Sequence, residues 1–475
     1  MEQINFLTKL SNITLQSQLR LDPKYRYFKD ERNNRTSLLN SIEDKKDVAL
    51  SSILELAKTS VVKKGELEEE MILVDLDDIE AGFGSLKQER LVSEIGSDKT
   101  IFGNSDIVCS KLTPEKGHFF INDKNKKYIG TTELIGYRLK NHHWNIKFLL
   151  YLLLHKDFRG DLEFLTSGKT HPRIQIPDFL AMRIPFVSYD RQVEAIKKIE
   201  EKENKILQIK SKIESLQDII DEIFIKYFLN TNNTKKENDD TIFSVSFSKI
   251  YEFKNNQLRF SYHYSHPRYN KFLKNISKRM ITTFNKVFEI KGGKRIPKGY
   301  TFSKEETSFR YLRPNEIKDL YIDYENMPYI SEKLYNMLKR YKINPSDFAI
   351  SIVGTLGKIA WFLPPEILKD QEVILSENFA KLKLINKDIE PNYLFYFLNS
   401  IFLKVQIDKE YTITTQMKLG LDKLYKLFVL IPENREIEQK IVSEIQEREG
   451  KNNQYKEQIK KLREEIDDLI YYSLK

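Results

Sequence analysis

Three strings in the chain carry residue types that catalysis could use. Gly168-Lys169-Thr170 has the ending of a phosphate-binding loop, in which backbone N–H groups cradle phosphate and the lysine reaches it. That loop needs a glycine five residues earlier, where this chain has Glu163, so the string is excluded. Pro177-Asp178, followed by Glu200-Glu201-Lys202, matches a loose nuclease pattern of acids and a lysine. Glu200 and Lys202 fall in a helix pattern, where such charges form a solvated face. Asn344-Pro345-Ser346-Asp347 is the nearest string to the Asn-Pro-Pro-aromatic tetrapeptide of amino-methyltransferases, and it lacks both final residues. The seven histidines are scattered, and the one cysteine, Cys109, gives no zinc-ligand spacing. The expectation is a chain with no catalytic residues, no metal site and no cofactor of its own.

Binding chemistry is better represented. Reading a nucleic acid needs donors and acceptors on exposed loops, with cations for the phosphates. Two loop types occur twice. One is Lys58 to Gly65, with Lys63 and Lys64, answered by Lys291 to Gly299, with Lys294, Arg295 and Lys298. Glycines there permit close backbone approach. The other is Thr166 to Arg173, with Lys169, Thr170, His171 and Arg173, answered by Thr412 to Lys418, with Thr415, Gln416 and Lys418.

Those loops belong to a tandem repeat. Ala181 to Pro185 and Phe428 to Pro432 are apolar runs ending in Ile-Pro, each followed seven residues later by a glutamine, Gln192 and Gln439, at an offset of 247. Upstream, Phe148 to Leu153 resembles Tyr393 to Leu398. Thr131 to Leu134 resembles Ser376 to Phe379, and Ser105 to Val108 resembles Ser346 to Ala349. Ile53 to Leu56 resembles Val287 to Ile290, Lys64-Gly65 resembles Lys298-Gly299, and Leu19 to Leu21 has an echo in Leu258 to Phe260. The order is kept throughout, with offsets from 234 to 247.

The predicted layout is a globular half over 1–188, a long helix over 189–229, a polar linker over 230–240, a second half over 241–432 and a second helix over 433–475. Val193 to Phe228 has neither glycine nor proline. Ile199, Ile206, Ile213 and Ile220 share one heptad position, with Ile209, Leu216 and Ile223 at the other. Ile445, Ile459 and Ile466, with Ile441, Tyr455, Leu462 and Leu469, do the same in the second helix, interrupted by Arg448 and Asn452. The economical packing is helix on helix, antiparallel, as a rod of roughly 60 Å. The alternative is pairing with helices of other chains. The halves read as α+β, with a hairpin over Ala349 to Phe362 and short buried helices at Phe148 to Leu154 and Tyr393 to Leu398.

A net charge of +9 suits a polyanionic partner, or equally a lysine-rich protein from an AT-rich genome. A single cysteine excludes an internal disulfide, and no apolar run reaches the ~18 residues a membrane span needs. With no secretory leader evident, a cytoplasmic location is expected.

The doubled Ile-Pro…Gln junctions, the Lys291 to Gly299 loop and Asn344 to Asp347 with Gly354-Thr355-Leu356-Gly357-Lys358 resemble the specificity subunits of type I restriction–modification enzymes. The resemblance spans essentially the whole chain. It implies two target-recognition domains related by pseudo-two-fold symmetry and separated by two long antiparallel coiled-coil helices. Each domain would read one half of a split, asymmetric sequence on double-stranded DNA, and Lys358 joins the candidate contacts. The helices would dock two modification subunits, which bind S-adenosylmethionine and methylate adenine. Restriction subunits using ATP and Mg would attach further out. The first half departs from the pattern: Lys58 to Gly65 lacks the double glycine. Two other readings stand beside this one, a recognition subunit of another methyltransferase-containing phage-defence system and a protein-only coiled-coil scaffold.

Overall fold

The computed structural model describes residues 22–41, 46–67, 70–123, 126–140, 142–168, 170–229, 251–252, 257–258, 272, 276, 280–318, 320–413 and 415–475. Leu19 to Leu21, Arg259, Phe260, Lys169 and the linker over 230–240 lie outside them. The chain divides into two compact units, Met1–Lys212 with Tyr455–Lys475, and Ile213–Gln454.

In the first unit β1 (Asp47–Ala49) leads through a single helical turn, α1 (Leu50–Ile53), into β2 (Leu54–Leu56). A five-stranded sheet joins β3 (Ser60–Val62), β4 (Met71–Val74), β5 (Arg90–Val92), β6 (Lys99–Ile101) and β9 (Tyr128–Gly130), with β4 and β9 parallel. A four-stranded sheet has β10 (Leu134–Leu139) between β2 and β7 (Ile107–Ser110), with β8 (Phe119–Ile121) beyond. All four residues of β7 are buried, which fits its unbroken Ile-Val-Cys run. Two helices follow, α2 (Ile146–Leu154) and α3 (Lys156–Leu165); Asn145 starts α2 by accepting from the N–H groups of Lys147 and Phe148. Then β11 (Arg183–Pro185) returns to pair with β1, and α4 (Tyr189–Lys210) leaves it.

The second unit opens with α5 (Leu216–Phe228) and repeats that plan. β12 (Ile281–Thr283), one turn of helix α6 (Phe284–Val287) and β13 (Phe288–Gly292) come first. A mixed sheet holds β14 (Phe309–Leu312), β15 (Lys342–Ile343) and β18 (Glu372–Leu375), with β14 and β18 parallel. The hairpin β16 (Phe348–Ser351) and β17 (Ile359–Trp361) joins β19 (Phe379–Leu384) and β13 in a four-stranded sheet of the same order as in the first unit. The registers agree as well: Leu134 faces Ser110, and Phe379 faces Ser351. Next come α7 (Pro391–Asn399), α8 (Ile401–Glu410), the small hairpin β20 (Thr412–Ile413) and β21 (Met417–Lys418), and β22 (Phe428–Leu430), which pairs with β12. The last element is α9 (Arg435–Ser473).

The sequence predicts one helix over 189–229; the structure has two. α4 ends at Lys210, and Ser215 caps α5 by accepting from the Asp218 N–H. The Glu214 N–H and C=O, open at this break, bond the Oδ1 and Nδ2 of buried Asn452 at 3.1 and 2.8 Å. Arg448 pairs with Glu214 and Glu222, and Lys226 with Glu444 at 2.8 Å. Residue numbers rise along α5 as they fall along α9, so these stretches run antiparallel. In the first unit α4 and the last turns of α9 are joined by Lys202–Glu465 and, at 3.8 Å, Glu203–Arg463. Ile199, Ile206, Ile459, Ile466 and Ile470 are buried there.

The heptad residues also serve the globular cores. Phe224 of α5 lies 5.6 Å from the Tyr393 ring and 6.0 Å from that of Phe397, inside one large cluster with Ile220, Ile223, Ile441 and Ile445. At roughly 25 cal/mol per Å², burying such aromatics binds α5 firmly to the core of the second unit. No described helix is long and apolar enough to cross a membrane.

Candidate nucleic-acid interface

Lys291 and Gly292, read as loop in the sequence, extend β13, so the loop proper starts at Gly293. Its N–H donates to the Phe379 carbonyl at 2.8 Å, and the Lys294 N–H to that of Leu375 at 3.0 Å. A Cβ on Gly293 would lie 2.0 Å from the Ser376 oxygen, so only glycine fits. The close approach predicted for this glycine is made to the chain's own backbone. It lays Arg295 against the turn before β19, where Nε donates to the Glu377 carboxylate at 2.7 Å. Arg295 nevertheless stays 81% exposed.

Two further loops meet this one. Gly354 N–H bonds the Met417 carbonyl at 3.0 Å, joining the β16–β17 turn to the β20–β21 hairpin. Together they border a recess of about 400 Å³ whose lining includes Arg295, Phe302, Tyr311, Asn315, Glu377 and Gln416. Two of the predicted contacts, Arg295 and Gln416, therefore converge. Lys294, Lys298, Thr415 and Lys418 are exposed on the same loops.

Lys358 sits differently from the DNA contact expected. Its ammonium points back to the Pro314 and Ile317 carbonyls at 3.2 and 3.4 Å. It lines a separate cavity of about 500 Å³ beside Gln217 and Lys404.

In the first unit the equivalent turn is bordered by another predicted loop. Ser167 and Arg173 exchange two backbone bonds of 2.9 Å, closing the segment that displays exposed Thr170 and His171. Arg173 grips Glu133 through Nε at 3.0 Å and Nη2 at 2.9 Å. That contact holds the Glu133 carboxyl below the usual carboxylate range. Lys63 and Lys64 are exposed at the end of β3, where the Lys64 N–H donates to Asp98 at 2.9 Å. Each unit thus ties an arginine to a glutamate in the turn before its central strand. Glu133 and Glu377 escape a search for cations, although both lie in strings that mark the repeat.

The junction glutamines differ from their reading. Gln192 is fully buried: it accepts from the Asn145 N–H at 2.7 Å and donates to the Val187 carbonyl at 2.8 Å and that of His143 at 3.1 Å. Gln439 is exposed. Its neighbour Glu438 is buried and accepts from the Glu390 N–H at 3.0 Å, taking the place that Gln192 has in the first unit. Matching the residue type put the repeat one position out of phase with the helix.

The acids and lysine of the nuclease-like string do not meet. Asp178 holds Lys29 at 2.8 Å, Glu200 pairs with Lys147, and Lys202 pairs with Glu465. Among the described residues no group of three His, Cys, Asp or Glu is placed to hold a metal.

Residues 11–218 match the family model for the type I restriction modification DNA specificity domain. That stretch of the chain is similar to the type I specificity domain. The match covers the half whose loop lacks the double glycine, and the matched stretch includes β1 to β11 and α4. No curated protein matches the chain. Among solved structures, one chain from work on complex assembly and conformational transition of the type I R-M system is 13% identical, covers 90% of this chain and 97% of its own, and has a TM-score of 0.45. The type I S subunit from M. genitalium is 16% identical, with 90% and 95% covered and a TM-score of 0.36. The HsdS subunit from Thermoanaerobacter tengcongensis is 14% identical, with 90% and 96% covered and a TM-score of 0.34.

Proposed function

We propose that this chain is the DNA-recognition subunit of a type I restriction–modification complex and has no catalytic site itself. The observation that carries the reading is the recurrence, in the second unit, of the strand order and registers found in the specificity domain of the first. Two such folds, each with cationic loops, suit a bipartite, asymmetric target on double-stranded DNA. In this reading each unit recognises one half-site. The two are related by a pseudo-two-fold axis, and α4, α5 and α9 set the gap as antiparallel coiled-coil elements. Two modification subunits dock on the helices, bind S-adenosylmethionine and methylate adenine. Restriction subunits, with ATP and Mg, join that assembly.

Duplex binding as a function of salt tests the reading. Neutralised phosphates release counterions, so log affinity should fall linearly with log salt. Lys294→Ala should shrink the slope by about 0.9 for a lost phosphate contact. Absence of duplex binding, or affinity indifferent to salt, would contradict the proposal and favour a scaffold that binds protein alone.

A further inference from the structure

Glu377 is an acid on a surface whose predicted contacts are neutral or cationic. Phosphates repel a carboxylate, so its place there calls for a donor that DNA presents: the exocyclic amino group of cytosine or adenine. Both its oxygens are held. Oε1 accepts from Arg295 Nε at 2.7 Å, and Oε2 from the Tyr311 hydroxyl at 3.2 Å. Each oxygen keeps a lone pair for a further donor. The turn is fixed from behind, because Gly293 packs on the Ser376 carbonyl and Tyr311 also donates to the Lys294 carbonyl at 2.7 Å. Ser376, lining the same recess, has a buried hydroxyl with no partner among the described residues.

Arg295 supplies the other half of the pattern. Among the described residues its contact is through Nε alone, leaving both Nη groups as donors on a side chain 81% exposed. Guanine offers O6 and N7 as acceptors, beside the N4 donor of its paired cytosine. A fixed carboxylate next to a free guanidinium fork is the complement of that edge. Arg173 of the first unit does not offer it: Nε and Nη2 are taken by Glu133, and Nη1 by the His171 carbonyl at 3.1 Å.

We infer that Glu377 and Arg295 together read one C·G pair in the half-site of the second unit, Glu377 accepting from cytosine N4 and Arg295 donating to guanine. This rests on the proposed reading of duplex DNA and adds a specificity determinant to it. The test is selection from a randomised duplex library by the full chain with its modification subunits, read by sequencing the bound duplexes. Wild type should select a motif with an invariant C·G pair in one half-site. Glu377→Ala should lose preference at that position by roughly 10- to 100-fold, with the other half-site unchanged. Glu377→Gln should move the preference towards A·T, since an amide suits the adenine N6/N7 edge. Tyr311→Phe should keep the C·G preference. Loss of affinity for every duplex alike in both Glu377→Ala and Tyr311→Phe would make the carboxylate merely structural and overturn the inference. An unchanged motif in Glu377→Ala would overturn it too. A wild-type chain that selects no motif would overturn the parent reading, and this one with it.

Discussion

At the Ile-Pro junctions one buried position carries an amide in the first unit and an acid in the second. Gln192 gives and accepts hydrogen bonds there, whereas Glu438 only accepts, and burial raises its carboxyl above the ordinary 4.5. Glu390, whose N–H Glu438 receives, has a buried carboxylate oxygen with no partner among the described residues. A raised acid contributes fully below its ordinary value, and that contribution is lost as pH rises through the folded one. Glu438→Gln should therefore stabilise the second unit at pH 7 by about 1 kcal/mol and by little near pH 4, measured by urea unfolding at both values. An equal gain at both would refute the account. Cys109 is buried and unpaired by any disulfide, and burial pushes its thiol up. Labelling by a disulfide reagent should await opening of the first unit; rapid native labelling would contradict its placement in β7. These roles were half legible in the sequence. The Ile-Pro spacing points to Gln192, but identity of residue type masks Glu438, and nothing near Lys358 signals that its ammonium turns inward.

Strands and short helices were legible because their apolar runs bury on both faces: β16, β17, α2 and α7 fall where periodicity and the Gly354–Gly357 turn put them. The break between α4 and α5 was not, since no glycine or proline marks it. It arises from a cap at Ser215 and from Asn452, which answers both open backbone groups of Glu214. The interruption seen at Asn452 in the heptad was thus a real signal whose partner only the fold reveals. A slip along α9 would leave buried polar groups unpaired, so this contact also selects the register. Asn452→Ala should cost about 2 kcal/mol and speed hydrogen exchange of the Glu214 amide roughly 30-fold. Unaltered exchange would show that the clamp is idle.

For the molecule as a whole, the repeat is the feature most open to sequence reading, because the matching strings keep their order even where identity is low. The contact surface was less open: the order of loops is written in the chain, but Arg295, Glu377 and Gln416 come together only through folding. If the helices set the spacing between half-sites, removing seven residues from α4 and seven from the facing stretch of α9 should shorten the gap and leave each half-site intact. An unchanged gap would remove the helices from that role.

The most direct measurement is adenine-methylation sequencing of genomic DNA from cells carrying the modification subunits, with and without this chain. Methylation should depend on the chain, at a motif of two unlike half-sites separated by a constant gap. Methylation identical in both cells, or confined to a single undivided motif, would contradict it.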